Sequence, residues 1–260
     1  MKRFQSSINN AAPVLALAAA VLVWWLISAG GAVPAFMLPS PAAVFAAFVG
    51  DFPTLMLHAS VTLQEALYGL ALGVVISFAA ASLMDRFLWL RRALYPIIII
   101  SQTIPTIAIA PLLVLWMGFG MAPKIAVVVL TTFFPITVGL LDGYGSADPD
   151  AVSLLRSMGA NRLQIFYHLK FPAALSHFFS GLKVSAAYSV VGAVVAEWLG
   201  GFEGLGVYMT RVRKAYAFDK MFAVIFLIII VSLLLMLAVS ALRRAAMPWE
   251  RAEKKESIMQ

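Results

Sequence analysis

Apolar runs long enough to cross a bilayer, set apart by short charged stretches, give this chain its pattern. After Lys2 and Arg3 no charged residue occurs before Asp51, and Ala11 to Ala29 inside that stretch predicts a first membrane span. A cleavable signal peptide is the rival for this segment. The run is long and lacks a good small-x-small site ahead of the next apolar stretch, which favours a span. A second span is expected between Glu65 and Asp85, starting near Ser60. The charge-free stretch from Ala93 to Pro123 would measure about 46 Å as one helix, more than a roughly 30 Å hydrocarbon core. It holds Pro96, Pro105 and Pro111, so a kinked third span with an exit loop around Gly118 and Gly120 is predicted. Ile125 to Leu141 (with Pro135 inside), His177 to Trp198 and Met221 to Leu242 are the fourth, fifth and sixth.

Six spans put both termini on one side, and Lys/Arg counts choose which. With the termini inside, that side carries Lys2, Arg3, Arg86, Arg91, Arg92, Arg156, Arg162, Lys170, Arg243, Arg244, Arg251, Lys254 and Lys255. The outside carries Lys124, Arg211, Arg213, Lys214 and Lys220, and Lys183 falls within a span. The bias predicts cytoplasmic termini. The Arg211–Lys214 cluster runs against it, as a partner-docking patch or as a snorkelling rim beside the last span.

Composition agrees with the pattern. Hydrophobic residues are 62% and charged residues 12%, leaving too little polar surface to cover a soluble fold. The formal net charge of +7 matches basic membrane loops, so nucleic acid is not an expected partner. The chain has no cysteine, which excludes disulfides, thiolate chemistry and Cys–Zn sites.

The loops differ from one another. The first outer loop, Gly30 to His58, contains Leu38-Pro39-Ser40-Pro41. Ser40 can cap a short helix with Pro41 at its first position, and apolar Ala42 to Val49 suit a membrane interface. Asp142 to Ser176 is too long for a turn. In it, Asp148 is an N-cap with Pro149 at N1, and Val152, Leu155 and Met158 form one apolar face. Gly159 supplies a stop. Asn161 and Gln164 read as a capping-box-like pair opening a second short helix, which Pro172 ends. Two short helices at a sharp angle make a knob on the inner side, fit for docking a partner or for lying on lipid.

Gly159, followed by nine residues and then Leu169-Lys170-Phe171-Pro172, resembles the coupling signature of binding-protein-dependent ABC importer permeases. That signature begins Glu-Ala-Ala. Here those positions are Ser153-Leu154-Leu155, and Asp150 is the carboxylate one turn earlier. Leu38-Pro39-Ser40-Pro41, Thr62-Leu63 with Gly69, Ile104-Pro105 with Ala110-Pro111, Trp116 to Gly120, Phe133-Phe134-Pro135, and Ala196-Glu197-Trp198 with Gly204-Leu205-Gly206 are similar to the nitrate/sulfonate/taurine class. The likeness covers roughly Leu38 to Leu242. Phe179 to Lys183, Glu197 to Gly201 and Gly206 to Met209 look closest to permeases for thiamine-precursor pyrimidines, with riboflavin-type relatives also similar.

The resemblance implies an all-α, polytopic permease of six transmembrane helices. One permease domain would span residues 1–260, its five-helix core 60–242, and a cytoplasmic coupling loop 148–172. It implies a homodimer with the pore on its two-fold axis, a cytoplasmic ATPase subunit pair that binds ATP and Mg, and an extracytoplasmic substrate-binding protein. The chain contains no G-x-x-x-x-G-K-[ST] phosphate loop, so it cannot hydrolyse ATP by that route. The resemblance implies that hydrolysis belongs to the partner and that this subunit is non-catalytic, with no cofactor or metal of its own. Ser153, Leu155, Met158, Gly159, Ala160, Arg162 and Pro172 are expected to meet the ATPase. Gln102, Thr103, Thr106, Ser185, Tyr188 and Ser189 are candidates for the substrate pathway. Any single hydroxyl among them also has its own helix carbonyl to bond. Glu197 either snorkels, as Lys183 does, or borders an outer gate with Gly204 and Gly206. Glu65, near the outer start of the second span, has Lys124 or Arg211 as possible partners. The location expected is the bacterial inner membrane.

Two other function classes fit the sequence less well. An intramembrane hydrolase could use Ser180 and His177, but no acidic partner or oxyanion motif accompanies them. His58, His168 and His177 are too scattered for a metal site. A self-contained secondary transporter would bury ionisable relays at mid-span, and no span here has an acid at its centre.

Overall fold

In a computed structural model the residues described are 2–31, 33, 34 and 36–249, with side chains from residue 12 onward. The side chains of Lys2 and Arg3, and all of Arg251, Lys254 and Lys255, lie outside the described residues. Among those described there is no strand, and the chain forms a helical membrane bundle. Its helices are α1 (Lys2–Ala29), α2 (Pro41–Gly50), α3 (Phe52–Arg86), α4 (Leu88–Ser101), α5 (Thr106–Met117), α6 (Met121–Gly145), α7 (Pro149–Ser157), α8 (Arg162–Ile165), α9 (Phe171–Glu197), α10 (Leu205–Lys214) and α11 (Phe218–Ala246). Five helical segments are long and apolar enough to cross a membrane, and the bent pair α4–α5 brings the number to six if it counts as one span.

The centre of the bundle is α3, α6 and α9, held at close range by small residues. A methyl group added at Gly143 would lie 2.6 Å from the Ala174 Cα, and one at Gly139 would lie 2.9 Å from the His177 carbonyl oxygen. Such small-residue contacts replace the hydrophobic drive that lipid cannot supply between helices. Buried hydroxyls add links between helices: Ser77 donates to the Phe133 carbonyl and Ser185 to that of Thr132, both at 3.0 Å. Leu70, Ile136, Leu140, Tyr144, Leu182 and Ala186 fill the interior between them. The outer faces of α1 and α11 expose Leu and Ile to lipid, and Trp24 pins α1 by donating to the Pro39 carbonyl and stacking on Phe222 and Phe226.

Four sequence expectations change here. The second span begins at Phe52, not near Ser60, because Pro53 in the first turn starts the helix early. Glu65 therefore sits thirteen residues, or about 20 Å, into α3 rather than at its start. The third span is broken rather than kinked: α4 and α5 meet at 102°. The break falls at Pro105, whose preceding residue is kept from helical geometry, while Pro96 and Pro111 are absorbed within helices. Lastly, Pro172 does not end a helix. A π-helical turn, Phe166–Lys170, widens the ladder just before it, and the helix runs on through α9. The fifth span is thus part of one helical run from Arg162 to Glu197.

The short helix α2 forms as its capping residues predict. Ser40 Oγ accepts from the Ala43 N–H at 3.2 Å, Pro41 opens α2, and Val44 is buried. α2 also packs along α11, so it is part of the bundle and not a helix resting on lipid alone.

Candidate functional site

Two regions carry the polar and mechanical features of the chain, and they sit at opposite ends of the Arg162–Glu197 helical run. The first is the elbow α7–α8. Asp148 Oδ1 caps α7 by accepting from Asp150 N–H at 2.9 Å, and Pro149 occupies the first turn. At the other end Gly159 adopts φ +84°, donates to the Arg156 carbonyl at 3.0 Å, and lets Ala160 donate to that of Leu155 at 2.9 Å. These two bonds are a Schellman closure, which needs the left-handed residue glycine supplies. The next residue at once opens α8 with a reciprocal capping box: Gln164 N–H to Asn161 Oδ1 at 2.9 Å, and Asn161 N–H to Gln164 Oε1 at 2.8 Å. The corner between the two helices is therefore only the four residues Met158, Gly159, Ala160 and Asn161, closed by these four backbone bonds. Such a corner is stiff.

α8 continues through the π turn into α9, so the elbow is the end of a membrane helix and not a loose loop. Lys170 clamps the junction by donating twice to the Asp85 carboxylate on α3, at 2.6 and 2.8 Å. The outward surface is apolar. Met158 is 75% exposed, and Leu154, Leu163 and Tyr167 are exposed with it. Of the residues singled out for coupling, Ser153, Gly159, Arg162 and Pro172 are exposed while Leu155 and Ala160 are half-buried. Leu154, Leu163 and Tyr167 were not singled out. They belong to the face opposite Val152 and Leu155, and an apolar residue on the outward face of a capped helix was the available signal.

The second region is a buried polar knot at the far end. Glu65 on α3 is 1% exposed, Lys124 on α6 is 5%, and their ion pair measures 2.5 Å. Of the two partners considered for Glu65, the structure selects Lys124. Glu197, at the last position of α9, is 2% exposed, which corrects the snorkelling reading. One of its carboxylate oxygens accepts from Thr62 Oγ1 at 2.7 Å and the other from Gly206 N–H at 2.5 Å. Thr62 in turn accepts from Leu205 N–H at 2.8 Å, and His58 Nδ1 accepts from Gly204 N–H at 3.0 Å. These three donors are the unpaired N–H groups at the start of α10. α10 is thus capped from α3 and α9 by an imidazole, a hydroxyl and a carboxylate, the last also favoured by the positive helix end. Gly204 and Gly206 leave the room: a Cβ on Gly204 would run into the Glu197 carboxylate, and one on Gly206 into the Val194 carbonyl. His58, Thr62 and Glu65 lie at i, i+4 and i+7 of α3, so they form a polar stripe on one face of that helix. Next to the knot, Phe119, Trp198, Phe202 and Thr210 border a cavity of about 380 Å³.

Tyr208 and Lys220 both bond Asp51, the Lys220 pair at 2.8 Å, tying α10 and α11 to the start of α3. The Lys220 ammonium, and after it the Tyr208 hydroxyl, hold the Asp51 carboxyl below its usual range. Burial, with Asp51 beside it, pushes the Tyr208 phenol up.

The pathway candidates divide. Gln102 and Thr103 lie exposed at the α4–α5 break, Thr106 is half-buried and Tyr188 is exposed. Ser185 and Ser189 are fully buried, with their hydroxyls on the carbonyls of Thr132 and Ala186. Ser180 bonds the Ser176 carbonyl. Lys183 is exposed, and Arg211 donates to the Phe202 carbonyl at 2.7 Å. Among the described residues no group of three or more His, Asp or Glu side chains is placed to hold a metal.

Comparison with known proteins gives a consistent result. Residues 73–249 match the family described as "binding-protein-dependent transport system inner membrane component". The chain is 37% identical, over 90% of its length and 94% of the relative's, to the formylaminopyrimidine transport permease protein ThiX of Halalkalibacterium halodurans. It is 32% identical to the riboflavin transport system permease protein RibX of Chloroflexus aurantiacus (84% and 82% covered) and 28% identical to the taurine transport system permease protein TauC of Escherichia coli (90% and 87% covered). The structure of the MetNI methionine ABC transporter in inward-facing conformations contains a chain with TM-score 0.60 at 18% identity, covering 75% of this chain and 94% of that one. A chain of an amino acid ABC transporter crystallised with histidines gives 0.61 at 16%, covering 77% and 96%. These two show the shared fold.

Proposed function

The chain belongs to the family of binding-protein-dependent transport system inner membrane components, and from that premise we propose that it is the non-catalytic, pathway-forming half of an ATP-driven importer. The observation that carries this reading is the elbow. A stiff corner with an exposed apolar face, continuous with a membrane helix, is suited to receive force from another protein and pass it to the bundle. A cytoplasmic ATPase pair, holding ATP and Mg, grips Leu154, Met158, Gly159 and neighbouring residues and draws two elbows together. The Arg162–Glu197 helices tilt, and the cavity between two copies of the chain changes the side on which it opens. The ATPase favours one of the two states, and that difference in affinity is the coupling.

The cargo proposed is a thiamine-precursor pyrimidine handed over by an extracytoplasmic binding protein, in line with the 37% identity to a formylaminopyrimidine permease. Gln102, Thr103, Thr106 and Tyr188 border its route, and Glu197, Gly204 and Gly206 hold the outer end closed. The termini face the cytoplasm of a bacterial inner membrane, a reading that the Lys/Arg distribution supports.

Two experiments test this. Uptake is measured in vesicles holding the chain, its ATPase and its binding protein, with labelled formylaminopyrimidine, riboflavin and taurine offered separately. ATP-dependent accumulation of the pyrimidine alone is expected, and accumulation of taurine instead would move the substrate assignment. Orientation is read from single cysteines, since the chain has none of its own. Ser157→Cys should label only from the cytoplasm and Phe202→Cys only from outside.

The buried Glu65–Lys124–Glu197 group supports a second reading, an ion-coupled secondary transporter. That reading requires the chain alone to move substrate down a proton gradient, and the importer reading requires that it cannot.

A further inference from the structure

Behind the elbow lies a cavity of about 660 Å³, walled by the end of α3, α7 and the start of the α8–α9 run. Its charged lining is Asp85, Arg86, Arg156, Arg162 and Lys170. Asp85 is spent on Lys170 through two bonds. Among the described residues no carboxylate lies within ion-pair distance of Arg86, Arg156 or Arg162. Three exposed arginines thus line one cavity with no carboxylate partner among the described residues. Each guanidinium is a planar fork of donors matched to phosphate oxygens, and Asn161 adds polar lining.

The surroundings indicate where that phosphate comes from. Phe87, Leu88 and Trp89 directly follow Arg86 and are exposed, with the Arg86 guanidinium 5.8 Å over the Phe87 ring. Exposed aromatics beside arginine at a helix end mark the headgroup level of a bilayer. Basic pockets between membrane helices at that level suit anionic headgroups. We propose that this cavity is a binding site for the phosphate of an anionic phospholipid, held by Arg86, Arg156 and Arg162. The bound headgroup wedges α7 against α3, and so sets how stiffly the elbow is attached to the bundle. The site itself is independent of the importer reading; only its consequence for coupling rests on it.

The test uses the purified full chain in detergent with three probes: dioleoyl-phosphatidylglycerol, dioleoyl-phosphatidylcholine and sodium phosphate. Retained lipid is counted by native mass spectrometry, and thermal unfolding is followed in parallel. Phosphatidylglycerol should be retained and raise the melting temperature, and phosphatidylcholine should do neither. The double variant Arg156→Gln/Arg162→Gln should lower retained phosphatidylglycerol at least about fivefold. Arg86→Gln gives a milder loss and serves if the double variant does not fold. Arg213→Gln/Lys214→Gln, which removes exposed charge from α10, should change nothing. Equal retention of both lipids overturns the site, as does equal loss in the α10 variant. A full melting shift from inorganic phosphate alone overturns the lipid assignment. Absence of any retained lipid overturns it too, and points to an acidic segment of a partner subunit as the occupant. Lipid retention by a chain that fails the uptake assay upholds this site while sinking the importer reading.

Discussion

The two ends of the Arg162–Glu197 helical run are built on opposite rules. At the Glu197 end the charges are inside: Glu65, Lys124 and Glu197 are each at most 5% exposed, and they meet one another, a hydroxyl or a helix N-terminus. At the elbow end the apolar groups are outside, with Met158 75% exposed, and among the described residues three arginines have no carboxylate within ion-pair distance. A buried charge group is costly to open, because each partner left alone keeps its desolvation cost. An exposed apolar face costs little to leave open and gains when covered. The contrast separates a region that holds its own helices together from one finished by something else. One helical run joins them, so on the proposed importer reading a movement imposed at the elbow would reach the knot as a tilt of Glu197 under α10.

The sharpest way to break this contrast is to remove one member of the buried pair. Lys124→Ala leaves the Glu65 carboxylate buried without its cation, and a loss of about 3–5 kcal/mol is expected in denaturant unfolding of the detergent-solubilised chain. Glu65→Gln/Lys124→Met should recover more than half of it, because two apolar or neutral groups of similar volume need no counter-charge. If the single variant were as stable as the parent, the knot would not be a structural closure. Next in size is Gly206→Ala. Its Cβ meets the Val194 carbonyl, which is backbone and cannot swing aside, so α10 must lift off its caps. A loss of about 1–3 kcal/mol is expected by the same measurement.

Much of the elbow was legible in the sequence because every device in it is local. Asp148-Pro149, Gly159 and the Asn161–Gln164 pair each act within four residues, and the structure has all three. The knot was legible only in parts. Glu65 and Lys124 are 59 residues apart and Thr62 and Glu197 are 135 apart, so no window of sequence contains either pair. Glu197 at a helix end read either as a snorkelling charge or as a neighbour of Gly204 and Gly206; the structure sets it against those glycines, and its bond to Thr62 is the part that no local pattern shows. Pro172 misled for a different reason: the rule that proline ends a helix assumes an α-helical turn before it, and here that turn is π-helical.

At the elbow the expected effect moves from stability to coupling. Met158→Asp puts a charge on the exposed face, so unfolding should shift by less than about 0.5 kcal/mol. In the vesicle assay, uptake per ATP hydrolysed should fall about tenfold, as one apolar contact with the partner is replaced by a charge that must be desolvated. A variant that unfolds as readily as Lys124→Ala would show that Met158 is packed and not free. A stable variant with full uptake would place the partner's contact elsewhere on the elbow.

The smallest effect belongs to Asp51, a charge in neither class, since it is partly exposed but paired. Lys220 and Tyr208 lower its carboxyl pKa in the folded chain. A group lowered on folding stabilises above its unfolded value, near 3.9, and that stabilisation is lost as pH falls through the lower folded value. The corner joining α3, α10 and α11 should therefore hold at neutral pH and loosen only below about pH 4. Because the pair is screened by solvent, the whole contribution should stay within about 1 kcal/mol. Asp51→Asn should remove this component of the acid dependence of unfolding while leaving the knot's large contribution in place. If Asp51→Asn cost as much as Lys124→Ala, solvent exposure would not separate strong ion pairs from weak ones here, and the knot would have to be read as a single charge network extending to the surface.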